Sequence, residues 1–131
     1  MIYNIGTDLV YINRVSYLLE KYNNSFIERI LSDKEIEILE SKPDKAKYLA
    51  KRFAAKEALA KAFGTGIGKI SFKDISILNY TNGMPFFEVS SKLKHLAIDV
   101  FGTDRFKLHV SISDDKDLAL AFVTIEIIND K

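Results

Sequence analysis

Glu57 occupies a chemically awkward place in the stretch Arg52-Phe53-Ala54-Ala55-Lys56-Glu57-Ala58-Leu59-Ala60-Lys61-Ala62-Phe63. The alanines, leucine and lysines favour a helix. With Phe53 as origin, Leu49, Ala60 and Ala46 fall within about 40° of it, and Glu57 shares that apolar stripe at about +40°. An ionised carboxylate among packing residues is costly unless a cation pairs with it, and a metal ion would do so. Lys56 (about −60°) and Lys61 (about +80°) flank the stripe, and Arg52 lies further round at about −100°. The helix runs into Gly64-Thr65-Gly66-Ile67-Gly68, a turn whose backbone N–H groups can face an anion. Together these suggest a site for a metal and a phosphate-bearing ligand. The plainer alternative is solvated lysines, a glutamate reaching water at the stripe's edge, and glycines that stop a helix.

A second acid stands far away along the chain. Ile2 to Val10 reads as a strand, with Gly6 permitting close approach by another backbone and Asp8 near its far end. At that position Asp8 suits a metal ligand and a turn cap equally well.

Composition narrows the function classes. The chain has 131 residues, suited to one domain over 1–131; it is 47% hydrophobic and 28% charged, as for a globular protein. A net charge of +1 is too balanced for general nucleic-acid binding. No cysteine is present, which removes disulfides, thiolate metal sites and a cysteine nucleophile. His95 and His109 are too few and too scattered for a histidine zinc site. No apolar run approaches bilayer length and the start carries no leader pattern, so no membrane association is expected and the cytoplasm is the expected compartment.

The elements that must position these residues follow from caps and periodicity. Asn13 is the expected cap of a helix with Val15, Leu18, Leu19 and Tyr22 on one face, leaving Arg14 and Lys21 outside. Ser25 with Glu28, and Ser32 with Glu35, are capping-box pairs for two short helices before Lys42-Pro43. Asp44 starts the long helix. Ile75–Tyr80 and Pro85–Val89 form a hairpin about Thr81-Asn82-Gly83. Ser90 caps a helix with Leu93, Leu96, Ala97 and Val100 on one face, closed by Gly102, with His95 beside that face. Phe106–Ser113 and Leu118–Ile127 are strands; the second is nearly all apolar, as for a strand buried on both sides. The expected class is α+β, an antiparallel sheet packed against the long central helix and shorter ones.

Two stretches and the general layout resemble the holo-acyl-carrier-protein synthases, the short 4′-phosphopantetheinyl transferases. Ile5-Gly6-Thr7-Asp8 matches that family's N-terminal motif; Arg52 to Ala62 with Gly64-Thr65-Gly66 matches its helix motif. Asn82-Gly83-Met84-Pro85 and His109-Val110-Ser111-Ile112-Ser113 are weaker family signatures. Met84 replaces a frequent lysine, and Asp114 stands where some members carry a histidine.

The resemblance implies transfer of 4′-phosphopantetheine from coenzyme A to a serine of apo-acyl carrier protein, releasing adenosine 3′,5′-bisphosphate. It implies Mg²⁺ on Asp8 and Glu57, the usual one or two carboxylates of a hard cation on substrate phosphates. Glu57, or a metal-held water that it orients, is the candidate base, and Lys61 neutralises phosphate. Arg52, Lys56, Gly64, Thr65, Gly66, Pro85, His109 and Ser111 are the candidate coenzyme A contacts. Arg14, with Lys21 and Arg29, is the implied docking surface for the acidic carrier protein, and a homotrimer with shared sites is the implied assembly. Two rivals use the same residues. A small Mg²⁺-dependent pyrophosphohydrolase would activate water with the two carboxylates. A non-catalytic module holding a nucleotide or an acidic protein would tolerate Glu57→Gln.

Overall fold

Gly6 fixes where the first strand lies. A Cβ at this position would collide with the carbonyl oxygen of Ala58 and lie 2.7 Å from the Ala62 nitrogen, so strand and long helix touch backbone to backbone. The structure, a computed structural model, describes residues 1–65 and 70–129. Its elements run β1 (Ile2–Tyr11), α1 (Ile12–Tyr22), α2 (Asn24–Ile30), α3 (Asp33–Glu40), α4 (Lys45–Phe63), β2 (Ser76–Asn79), β3 (Pro85–Glu88), α5 (Ser91–Phe101), β4 (Phe106–Asp114) and β5 (Leu118–Ile127).

The helix α4 is the centre. Asp44 caps it by accepting from the Lys47 amide at 3.0 Å, and Gly64 ends it in the left-handed region at φ 77°. Leu49, Ala50, Ala54, Ala55, Ala58, Leu59 and Ala62 have essentially no exposed surface. A helix buried on nearly every side has packing neighbours all round rather than along one stripe. Alanine makes that feasible because it lets strands approach closely.

Strands β1, β5 and β4 form an antiparallel sheet in that order, with Gly6 opposite Val123 and Asp8 opposite Ala121. β2 and β3 form a separate two-stranded ribbon. The expected α+β class holds, divided between two sheets. Ala119, Ala121, Val123 and Ile125 of β5 are buried, whereas Leu120 and Phe122 on its other face are exposed. The expectation of a strand buried on both sides is therefore corrected: β5 is central within its sheet, but the described chain covers one face.

Two caps also differ. β1 runs directly into α1, so Asn13 sits inside the first turn and Tyr11 takes the cap position without a side-chain bond. Ser25 lies within α2, its hydroxyl donating to the Tyr22 carbonyl, and the bend comes from Asn23 at φ 51°. Ser32 and Glu35 do form a capping box, and Ser90 caps α5 ahead of Gly102. No helix among the described residues is long and apolar enough to cross a membrane.

Candidate active site

Alternation along β1 turns Gly6, Asp8 and Val10 toward α4, and Asn4 donates to the Ala62 carbonyl at 2.8 Å. Asp8 and Glu57 consequently line one cavity of about 270 Å³, together with Arg14, Leu18, Phe26 and Phe53. The Lys61 ammonium donates to Asp8 Oδ1 and to the Thr7 carbonyl, both at 3.1 Å. Partial burial, and then the charge on Asp8, push the Glu57 carboxyl up, while Lys61 pulls it down. The stripe that carries Phe53 and Glu57 is the half-open side of α4, which faces this cavity. Two carboxyls share one lysine, so the centre has room for further positive charge. No group of three or more histidine, cysteine, aspartate or glutamate side chains is placed to hold a metal among the described residues. A pair of carboxylates beside open space fits a hard cation that keeps water ligands.

A second cavity, about 460 Å³, opens between α4 and the β2–β3 ribbon. Its walls include Lys47, Tyr48, Lys51, Arg52, Gly83 and Pro85. Arg52 is 4% exposed, stacks 4.7 Å above the Tyr48 ring and donates Nη2 to Asn79 Oδ1 at 2.8 Å. The Tyr48 hydroxyl and Arg52 Nε have no hydrogen-bond partner among the described residues. Burial raises the Tyr48 hydroxyl above its ordinary range, against the lowering charge of Arg52. Asp114 bridges Lys47 and Lys51 at 3.5 and 3.4 Å. Two of the expected nucleotide contacts, Arg52 and Pro85, thus share this cavity rather than the one lined by Asp8 and Glu57.

Lys56 is a correction. It has no exposed surface, and its ammonium donates to Glu35 Oε1 at 2.5 Å and to the Ile30 and Phe72 carbonyls, each at 2.7 Å. Burial lowers it to about 8 despite the opposing pull of Glu35. With all three protons engaged inside the protein, Lys56 cannot touch a ligand. The residue that sequence reasoning missed is its partner Glu35, recognised there as a cap and in fact also the receiver of this charge.

The remaining candidates are spread. Gly64 is exposed at the helix end and Thr65 follows it, while Gly66 lies outside the described residues. His109 and Ser111 project from the outer face of β4, opposite the face that meets α4, with His109 Nε2 3.0 Å from Glu126 Oε1. Exposed Ile5, Leu9, Leu120 and Phe122 share that outer face. One chain therefore holds His109 and Ser111 on the other side of the sheet from Asp8. Arg14 lines the Asp8 cavity; Lys21 rests over the Tyr17 and Tyr22 rings, and Arg29 is exposed in the last turn of α2.

The family model for the 4′-phosphopantetheinyl transferase superfamily matches residues 4–123. A holo-[acyl-carrier-protein] synthase of Ruthia magnifica is 46% identical over 127 residues, covering 96% of this chain and 98% of the relative. Among solved structures, that of a holo-[acyl-carrier-protein] synthase from Neisseria meningitidis is 42% identical, with TM-score 0.87 over 96% of this chain and 99% of that one. A synthase from Bacillus anthracis in complex with CoA (3′,5′-ADP) is 37% identical, with TM-score 0.80 over 98% and 99%. With similarity running over almost the whole length, the chain belongs to the 4′-phosphopantetheinyl transferase superfamily.

Proposed function

We propose that this chain, acting as one domain over residues 1–131, transfers 4′-phosphopantetheine from coenzyme A to a serine of apo-acyl carrier protein. The observation that carries this reading is the meeting of Asp8 and Glu57 at one cavity, with Lys61 bonded to Asp8, in a chain of this family. The serine Oγ attacks the β-phosphorus, the bond to the α-phosphate oxygen breaks, and adenosine 3′,5′-bisphosphate leaves with the electron pair. Mg²⁺ on Asp8 and Glu57 would supply the charge that stabilises the pyrophosphate oxygens. Lys61 neutralises phosphate beside them. Glu57 accepts the serine proton directly or through a water that it orients. Arg52, Pro85, Gly64, Thr65 and Gly66 are read as holding the nucleotide end.

Arg14 stands on the rim of the same cavity, so an acidic carrier docked there, with help from Lys21 and Arg29, would present its serine toward Glu57. Leu18, Phe26 and Phe53 offer an apolar wall for residues beside that serine. His109 and Ser111 face away from Asp8 in one chain, so a site that uses both sets needs a second copy. The exposed Leu120 and Phe122 face supplies an apolar surface for association, and a homotrimer with sites shared between copies is the assembly we assign. The compartment we assign is the cytoplasm. Mass spectrometry of apo-acyl carrier protein, incubated with the chain, coenzyme A and Mg²⁺, tests the reaction. The expected result is the gain of one phosphopantetheine group, abolished by EDTA; an unmodified carrier overturns the reading.

A further inference from the structure

Glu35 is more heavily engaged than a helix cap requires. It has no exposed surface, and it receives donors from three parts of the fold. Oε1 accepts from the Ser32 amide at 2.9 Å and from the Lys56 ammonium at 2.5 Å. Oε2 accepts from the Ile77 amide of β2 at 2.9 Å, with Arg52 Nε at 4.0 Å. Ser76 Oγ donates to Ser32 Oγ at 2.7 Å, tying β2 to the start of α3 a second time. The network continues outward from Arg52. Its Nη2 holds Asn79 Oδ1, and Asn79 Nδ2 donates to the Gly83 carbonyl in the β2–β3 turn at 2.9 Å.

Each end of this network reaches a place that the reaction uses. Arg52, Asn79, Gly83 and Pro85 wall the 460 Å³ cavity. Lys56 immediately precedes Glu57 on α4, and the same helix carries Lys61. We propose that Glu35 is a positioning residue of the transfer reaction. A single buried carboxylate sets the β2–β3 ribbon, one wall of the nucleotide cavity, against the helix that bears Glu57 and Lys61. Glu35 touches no substrate. It acts by fixing two cations of α4 in place and by holding the β2 amide at the same point, so the ribbon and the helix cannot slide independently. Removing its charge would leave Lys56 and the neighbouring Arg52 buried without an anion, which drives local rearrangement of both. This inference rests on the reading that the Arg52 cavity takes the nucleotide end of coenzyme A.

Three variants test it, with coenzyme A binding measured by calorimetry and transfer measured as KM against kcat. Glu35→Gln keeps the size and loses the charge. Asn79→Ala cuts the last link to the turn and leaves Arg52 its ion pair with Glu35. The double variant Glu35→Gln with Lys56→Met removes the charge that Glu35 neutralises, keeping the test open should Glu35→Gln alone fail to fold. The expected result is coenzyme A binding and KM weakened about tenfold in the double variant and about threefold in Asn79→Ala, with kcat changed much less. The inference is overturned if the folded variants melt at lower temperature yet keep the wild-type KM and binding constant for coenzyme A. It is equally overturned if the double variant recovers wild-type coenzyme A affinity, since Glu35 would then serve only to neutralise Lys56. A wild-type chain that binds no coenzyme A would overturn the functional reading and this inference together; equal binding by wild type and variants overturns this inference alone.

Discussion

Asp8 on β1 and Glu57 on α4 face the same cavity, and the charge on Asp8 adds to burial in raising the Glu57 carboxyl. Two acids held this way work against the fold in the absence of a cation. The folded state keeps the Glu57 proton to higher pH than the unfolded chain, whose carboxyl titrates near its ordinary 4.5. Above that value the folded state binds more protons, so this group's contribution to stability falls as pH rises. Glu57→Gln is therefore expected to match the wild type below the unfolded carboxylate range and to become the more stable protein at pH 7–8. Turnover is expected to drop by about 100-fold or more, because charge stabilisation and proton acceptance go together. Denaturant unfolding from pH 4 to 8, beside turnover, checks both; a variant less stable than wild type at pH 8 refutes the crowding.

Gly6→Ala tests the contact that brings those acids together. The added Cβ would strike the Ala58 carbonyl oxygen, so β1 must move off α4 and carry Asp8 with it. The expected cost is about 2–3 kcal/mol of stability. The transfer rate per folded molecule should fall as well, since Asp8 separates from Glu57. Gly102→Ala is the control: no atom lies within 4 Å of its Cβ, and the strain of φ 77° costs about 1 kcal/mol. Thermal melts with rates corrected for the folded fraction separate the two. An active, merely destabilised Gly6→Ala would mean that the strand can shift without opening the site.

The reach of the sequence is clearest along α4. Asp44, Gly64 and the Phe53–Glu57 side were legible because a cap has a side-chain signature and a glutamate in an apolar stripe is conspicuous. The other side was not legible. Ala54, Ala55, Ala58 and Ala62 are too small to mark a buried face by hydropathy, so Arg52 and Lys56 read as flanking cations although the protein closes over both. Glu35 hid for a related reason: its capping-box pattern already explained a glutamate there. On β5 the exposed Leu120 and Phe122 are as apolar as buried Val123 and Ile125, so residue type carried no record of which face the chain covers. Asn13 and Ser25 were good cap residues in a chain that enters α1 straight from β1 and bends at Asn23.

Arg14→Glu separates carrier docking from coenzyme A binding. Arg14 is exposed on the rim of the Asp8 cavity, and reversing its charge should repel an acidic partner during approach. The expected result is kcat/KM for apo-acyl carrier protein lowered about tenfold at low salt, with the gap narrowing as ionic strength rises. Calorimetry should give an unchanged constant for coenzyme A. Equal loss of both would remove Arg14 from the docking surface.

Phe122→Glu addresses the assembly. Phe122 is 46% exposed on the outer face of the sheet, near Leu120 and Leu9. A charge there should dissociate the proposed trimer, seen by light scattering, and lower transfer in step with the loss of assembly. A Phe122→Glu chain that remains associated and fully active would show that this face is not the interface.

Asp114→Asn probes the charge balance of the larger cavity. The Asp114 carboxylate lies 3.5 and 3.4 Å from Lys47 and Lys51, which both line that cavity, and all three side chains are about a third exposed. A ligand phosphate arriving there competes with a carboxylate that the protein already supplies. Removing one negative charge leaves the two lysines without their internal anion. For partly exposed ion pairs the gain is modest, about threefold tighter binding of coenzyme A, and it should fade at high salt. Calorimetry at two ionic strengths measures both features. Weaker binding in Asp114→Asn would mean that the carboxylate aims the lysines toward the ligand rather than competing with it, and the sign of the change decides between the two roles.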